Sequence, residues 1–356
     1  MDKYATIAVV LAGGIGSRFW PASRPARPKQ LLALAGDVPL IVDTVRRAER
    51  LVGAENVRLL TGAELVAPFR SVLPEYPEQR FWVEPVARST GPALAWAAAR
   101  VAADNPEALM VSLHADHLIR PFETFEASII RAARAAFERH VLVCLGIRPD
   151  RPETGYGYIE LGDSTAPGVH AVRRFVEKPD LETARSYLET GRHLWNSGIF
   201  VWRASDFLDA VRRLTPEIAP ALPALEPGGA GVEAFFDQVE PVSVDVGVLE
   251  RADEVEVVAA DFEWDDVGTW SALARTRDAD AAGNVALGEA ALIEAHDNIV
   301  WSDDGRVVLF GVDDLVVVRS GGETLVTRRE LAPELKRALA VLDAEAKPAA
   351  ESENPS

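Results

Sequence analysis

The chain has 356 residues, 48% of them hydrophobic, with a formal net charge of −18 and a single cysteine. That composition supports one or two folded domains and excludes a disordered chain, an internal disulfide framework and a cysteine-based metal cluster. The acidic balance argues against a nucleic-acid or anionic-membrane partner, and leaves room for a small anionic ligand only where cations gather locally.

The first predicted strand, "TIAVVLA" at 6–12, runs straight into such a gathering. Gly13, Gly14 and Gly16 are followed by Arg18, Arg24, Arg27 and Lys29, with Pro21, Pro25 and Pro28 between them. Glycines directly after a strand let backbone N–H groups approach a phosphate closely. The prolines would hold the cations in an ordered loop. The spacing fits neither a dinucleotide fingerprint, which needs glycine at Phe19, nor a Walker A loop, which needs Gly-Lys-Ser/Thr after four residues. A phosphate cradle and a tight turn with solvated cations both stay open, and Arg24 and Arg27 could belong to either.

Apolar runs at 57–61, 80–84, 108–113 and 140–146 read as further strands. Segments 39–51, 91–104 and 122–140 have apolar positions at helical spacing, with Thr90 as N-cap of the second. This alternation predicts βαβ units and a mostly parallel sheet covered on both faces. Cys144, inside the run 140–146, reads as a small buried hydrophobe. Strands at 155–161, 169–177 and 196–202 follow, with helices near 180–189 and 204–213 and a loop at 225–232. From about residue 283, short β-rich runs alternate with Asp-Gly and Gly-Gly turns, and a helix at 331–345 closes the pattern. The expected organisation is an α/β domain over 1–283, a β-rich domain over 284–346 and a disordered tail over 347–356. No apolar run reaches the roughly 20 residues of a membrane helix, and no signal peptide is evident, so the cytoplasm is the expected location.

The segment "LAGGIGSRFWPASRPARPKQLL" resembles the signature of the sugar-nucleotide pyrophosphorylases, and its "WPASR…PKQ" form is similar to their mannose-1-phosphate guanylyltransferase branch. The likeness continues in order through "VEPVARSTGPAL" (83–94), "HADHLI" (114–119), "GYGYIE" (155–160), "RRFVEKPD" (173–180), "WNSGIFVW" (195–202), "VDVGVLE" (244–250) and "WDDVGTW" (264–270). It implies a Rossmann-like nucleotidyltransferase domain with a left-handed β-helix-like C-terminal segment. It also implies the reaction of GTP with mannose 1-phosphate to give GDP-mannose and pyrophosphate. Because the chain stops at Ser356, short of the extra domain of bifunctional relatives, no phosphomannose isomerase activity is expected. A homodimer is the implied assembly.

Such a reaction needs no general base, because the attacking phosphate oxygen is already anionic. The obstacle is repulsion between two polyanions, so positioning, cations and a divalent metal must supply the catalysis. On the resemblance, Leu11, Ala12, Gly13, Gly14, Gly16, Ser17 and Arg18 hold the nucleotide. Lys29 adds charge near the α-phosphate or the leaving pyrophosphate. Glu84, Arg88 and Thr90 form the base and ribose side. Asp116 and Asp266 hold Mg²⁺, with Asp265 beside them on the sugar-phosphate side; a turn cap is the competing reading of Asp116. Gly157, Glu177, Lys178, Asn196 and Gly198 meet the sugar 1-phosphate. His114 and His117 read as structural, and Trp195, Trp264 and Trp270 as packing residues. The chain departs from the family pattern with His114 where proline is usual, and with Ser89 and Gly91 where Asn and Ala are usual. Two alternatives remain: a pyrophosphorylase for another sugar or base, and a catalytically silent regulatory homologue. Retention of Arg18, Lys29, Asp116 and Asp266 argues against the silent one.

Overall fold

A computed structural model describes residues 4–225 and 230–346; the expected disordered tail at 347–356 and residues 226–229 of the expected loop lie outside the described residues. The chain divides into two compact units. One contains the residues up to Gly13 together with Ile41–Asp266, and the other contains Gly14–Leu40 together with the residues from Val267 onward.

The first unit is built on β1 (Thr6–Leu11), α1 (Leu40–Val52), β2 (Val57–Gly62), α2 (Ala63–Val72), β3 (Phe81–Glu84), α3 (Thr90–Asp104), β4 (Leu109–His114), β5 (Leu118–Arg120), α4 (Phe122–Arg139) and β6 (Leu142–Ile147). It continues through β7 (Tyr158–Ala166), β8 (Val169–Val176), α5 (Leu181–Thr190), β9 (His193–Arg203), α6 (Ala204–Leu214), α7 (Val232–Gln238), β10 (Val255–Ala260) and β11 (Glu263–Asp265). A nine-stranded sheet takes the order β3-β2-β1-β4-β9-β6-β10-β8-β7. Strands β1 to β4 pair in parallel, as do β6 and β10. Strand β9 runs antiparallel between β4 and β6. The inner strands are buried on both faces, as their unbroken apolar runs require.

Helices cover the sheet with small residues where packing is closest. α3 buries an alanine-rich run, including Ala93, Ala95, Ala97 and Ala98 around Leu94 and Trp96. α4 buries Phe125, Ser128, Ile129, Ala132 and Ala136, a stripe at three- and four-residue spacing. Fully burying side chains such as Trp202, Phe200 and Phe207 contributes roughly 1.5–3 kcal/mol each. Cys144 is buried among them, and burial pushes its thiol well above the usual range.

One local expectation gives way. Thr90 begins α3 instead of capping it; Ser89, at φ 71°, holds the cap position, and the Thr90 hydroxyl accepts a hydrogen bond from the Val244 N–H at 3.0 Å. Helix α2, which the sequence pattern does not predict, forms although Pro68 lies inside it, because Leu65 and Phe69 bury one face.

In the second unit, α8 (Leu273–Thr276) is followed by β12 (Val285–Leu287), β13 (Ala290–Ile293), β14 (Ile299–Ser302), β15 (Val307–Phe310), β16 (Leu315–Ser320), β17 (Glu323–Arg328) and α9 (Leu335–Ala346). Strands β12, β14 and β16 stack in parallel, and β13 stacks in parallel on β15. These are the successive coils of a β-helix-like domain. An asparagine ladder satisfies the buried corner: Asn298 Nδ2 donates to Asn284 Oδ1 at 3.0 Å, and Leu315 N–H donates to Asn298 Oδ1 at 3.0 Å. The loop Gly14–Leu40 shares the core of this unit, through Phe19 on Trp270 (ring centroids 4.9 Å apart) and Trp270 on Trp301 (5.6 Å). Among the described residues, no helix is long and apolar enough to cross a membrane.

Candidate active site

In an open α/β sheet, ligand-binding groups gather beyond the carboxyl ends of the parallel strands. In the first unit those ends carry Leu11–Gly13 after β1, Glu84 at the end of β3, and His114–Asp116 after β4. The polar backbone of Leu11 and Ala12 is already engaged in the sheet. Leu11 O accepts from Ala115 N–H at 3.0 Å, Ala12 N–H donates to Leu60 O at 2.9 Å, and Ala12 O accepts from the Thr61 hydroxyl at 2.7 Å. These bonds fasten the two residues to the neighbouring strands and fix the floor beneath the glycine-rich loop. A Cβ built at Gly13 would meet no atom within 4 Å, so the backbone there is open to close approach.

Strand pairing brings the segment that carries Asp265 and Asp266 next to the one that follows Asp116. Antiparallel β5 and β11 place Asp265 opposite Leu118, which sets Asp266 alongside the 116–117 turn. Tyr156 donates its hydroxyl to Asp266 Oδ1 at 2.7 Å and packs edge-on against Trp195 and Trp264, at 5.3 and 5.0 Å. Burial and the two neighbouring aspartates push the Tyr156 phenol far up, so it stays a donor. Asp265 is buried, with Arg151 Nη2 at 3.9 Å.

His114, Asp116 and His117 have donor atoms within 4.8 Å of one another, which raises a histidine-rich metal centre as a reading. His117 Nδ1 accepts from Trp264 Nε1–H at 3.1 Å, so the one lone pair of the neutral ring is in use. The His114 ring stacks on His117 (4.7 Å, 27°), and its Nε2 would be 2.8 Å from a Cβ at Gly198. Both imidazoles thus have packing or hydrogen-bonding work. The donors of the Asp116 and Asp266 pair are hard carboxylate oxygens, which suit Mg²⁺.

Around Gly157, the sugar-side residues also converge. A Cβ at Gly157 would stand 2.5 Å from Glu177 Oε2 and 3.3 Å from Asn196 Cβ, so a side chain there would displace the Glu177 carboxylate. Asn196 N–H donates to Gly157 O at 2.8 Å. Lys178 pairs with Glu177 at 2.5 Å and adopts φ 48°, an uncommon conformation for a residue with a side chain. Gly198 takes φ 70°. On the nucleotide side, burial, helped by Glu64, raises the Glu84 carboxyl to about 7. Arg88 Nε donates to Phe236 O at 3.2 Å.

In the second unit, Gly14 and Gly16 both take φ 75°. A Cβ at Gly16 would lie 2.3 Å from Lys29 Cβ, so the loop folds onto the lysine stem. Lys29 is 5% exposed, its N–H donates to Ile15 O at 2.9 Å, and Nζ stands 5.5 Å from the centre of the Phe19 ring. Ser17 is half-buried and Arg18 exposed, in a short turn that starts at Ser17. The choice left open for Arg24 and Arg27 is settled differently from either reading. Arg24 Nη2 donates to Ser320 Oγ at 3.0 Å, and Arg27 pairs with Asp303 at 2.5 Å. Both cations anchor the loop to the β-helix-like coils. Tyr156, Glu64, Arg151, Glu250 and Asp245 carry no assignment from sequence; "GYGYIE" contains the signal for Tyr156, since it brackets Gly157.

Tyr156→Phe removes the hydrogen bond to the Asp266 carboxyl group and keeps the ring packing. It is expected to lower turnover by about tenfold, in line with the worth of a hydrogen bond. Steady-state assays on a variant of unchanged melting temperature check this; full activity would make Tyr156 a packing residue only.

A model of the nucleotidyl transferase family matches residues 7–283, and one of the "MannoseP isomerase/GMP-like beta-helix domain" matches residues 288–342. The chain is 36% identical over 348 residues to a mannose-1-phosphate guanylyltransferase of Escherichia coli, an alignment covering 94% of this chain and 74% of that protein. It is 34% identical over 355 residues to the alginate biosynthesis protein AlgA of Pseudomonas aeruginosa, covering 95% and 72%. The crystal structure of a "mannose-1-phosphate geranyltransferase" from Thermus thermophilus superposes with a TM-score of 0.87 at 34% identity, covering 95% of this chain and 99% of that one.

Proposed function

From its membership of the nucleotidyl transferase family, to which the chain belongs, we infer guanylyl transfer from GTP to mannose 1-phosphate, giving GDP-mannose and pyrophosphate. The observation that carries this is the 36% identity to mannose-1-phosphate guanylyltransferases across 94% of the chain. The sugar phosphate oxygen attacks the α-phosphorus of GTP, the bond to the β-phosphate oxygen breaks, and pyrophosphate leaves. Turnover assays over four nucleoside triphosphates and several sugar 1-phosphates test the reading. GTP with mannose 1-phosphate should be the preferred pair; no product with any pair would support a silent homologue.

We assign Asp116 and Asp266 to a divalent cation, Mg²⁺ by the hardness of their oxygens. When bound, it would offset charge between the two phosphates. The residues of the chain do the rest. Arg18, Lys29 and the amides of Gly13, Gly14, Gly16 and Ser17 bind the triphosphate. Lys178 neutralises the sugar phosphate, while Glu177, Asn196, Gly157 and Gly198 orient the hexose. Asp265, the last residue of β11, supports the adjacent Asp266, and Leu11 and Ala12 floor the nucleotide. Arg88 and Thr90 shape the ribose side. A cytoplasmic homodimer completes the proposal; light scattering of the purified protein checks the dimer.

Glu84 is assigned to the N–H edge of guanine, and this carries a pH signature. Guanine offers donors, so the ionised carboxylate binds and the protonated acid does not. With its carboxyl raised to about 7, the share of ionised Glu84 falls as pH drops. The KM for GTP is expected to be about tenfold higher at pH 6 than at pH 8. Glu84→Gln should flatten that dependence, and an unchanged slope in the variant would assign the titration to the substrates.

A further inference from the structure

The segment 242–250 has no role in the assignments above, yet it touches both the nucleotide-side and the sugar-side residues. Within it, Asp245–Leu249 forms a π-helical turn, a geometry that recurs at functional positions. The segment is fastened on one side to the start of α3: Gly91 N–H donates to Val242 O at 3.0 Å and Val244 N–H to Thr90 Oγ1 at 3.0 Å. A Cβ at Gly91 would lie 2.6 Å from Val242 O, so this approach depends on glycine. Thr215 adds a hydroxyl bond to Gly247 O at 2.8 Å. On the other side, Glu250 Oε1 accepts from Glu177 N–H at 3.0 Å, and Asp245 Oδ1 accepts from Asn196 Nδ2 at 2.7 Å.

The last contact dictates how Asn196 faces. Its Oδ1 accepts from Gly198 N–H at 3.1 Å while its Nδ2 donates to Asp245. Turning the carboxamide over would set its NH₂ against the Gly198 N–H and its oxygen against a carboxylate. Two hydrogen bonds would become two repulsions. Burial and the nearby Glu177 raise the Asp245 carboxyl to about 6, which leaves it mostly ionised at neutral pH.

We propose that Asp245 is a positioning residue for the hexose 1-phosphate: it locks the Asn196 carboxamide in one orientation, so that the second N–H of that amide is presented to a sugar hydroxyl. This rests on the reading of Asn196 as a sugar contact given under Proposed function. Without Asp245 only the Gly198 N–H would hold the amide, and the flipped orientation would become more accessible, at the expense of that selectivity for the sugar.

The test is steady-state kinetics on the full chain with GTP and mannose 1-phosphate. Asp245→Ala is expected to raise the KM for mannose 1-phosphate about tenfold, with the KM for GTP changed less than about twofold. Asp245→Asn keeps an acceptor oxygen for Asn196 and should return the sugar-phosphate KM to within about threefold of the parent. In an Asn196→Ala background, Asp245→Ala should add nothing further. Equal rises for both substrates, no recovery in Asp245→Asn, or a further rise on top of Asn196→Ala would overturn the proposal. Should Asp245→Ala fail to fold, Asp245→Ser, small and polar, gives the same comparison. The two layers separate cleanly. If Asn196→Ala leaves the KM for mannose 1-phosphate unchanged, the sugar-contact reading fails and this proposal with it. If Asn196→Ala raises that KM and Asp245→Ala does not, only the role of Asp245 falls.

Discussion

Asp266→Asn is expected to lower kcat by about 10²–10³-fold in the presence of Mg²⁺, with little change in melting temperature. Asparagine keeps the volume of the side chain and an oxygen to accept from the Tyr156 hydroxyl, now 2.7 Å from Asp266 Oδ1. What it loses is a negative charge toward the cation. Asp116→Asn should act in the same direction, and the double variant should cost less than the product of the two if both acids serve the one ion proposed for them. Turnover and thermal melting of the same preparations decide the matter. Undiminished kcat in Asp266→Asn would remove that residue from the site, whereas a collapsed melting temperature would make it structural.

The second large effect is expected at Lys29. Its stem is buried against Gly16 and its ammonium stands near the Phe19 ring. Lys29→Met retains that packing and deletes only the charge. A preorganised cation facing a polyphosphate acts mainly on the charge that develops during transfer. The loss in kcat/KM for GTP is expected to be about 10²–10³-fold at unchanged stability, the scale seen when one preorganised electrostatic donor is removed. Lys29→Arg should recover little, since the planar guanidinium does not fit the track of a straight stem. Measured kcat/KM within about threefold of the parent would return Lys29 to the status of a loop-packing residue.

Much of this fold can be read directly from the sequence, for reasons that are physical. The continuous apolar runs of β1, β4 and β6 announce strands covered on both faces, and the Ala-rich spacing of α3 announces a buried helix. The turn residues of the C-terminal segment announce short strands, as hairpins or coils, and the resemblance points to a β-helix. What stays hidden depends on partners far away in the chain. Arg24 and Arg27 read equally as phosphate ligands or as surface charge until Ser320 and Asp303 are seen to receive them. Thr90 has the chemistry of an N-cap, but its hydroxyl is drawn to Val244, 154 positions on. The π-helical turn at Asp245–Leu249 has no local signature, and distant residues fasten the chain around it: Gly91 at Val242, Thr90 at Val244 and Asn196 at Asp245. Tyr156 escapes notice because a tyrosine beside two glycines is ordinary until Asp266 is found within hydrogen-bonding distance.

The two anchoring arginines change what the C-terminal coils are for. A Cβ on Gly321 would sit 1.9 Å from Arg24 Nη2, so the guanidinium is seated in the hairpin that joins β16 and β17. The coils are thus the chassis on which the glycine-rich loop is mounted. A chain cut after residue 283 would still spell out every residue proposed for the phosphates, yet it would leave both mounting bolts without a thread. Drift in the coil sequence at Asp303, Ser320 or Gly321 is then expected to loosen a loop far away in the chain.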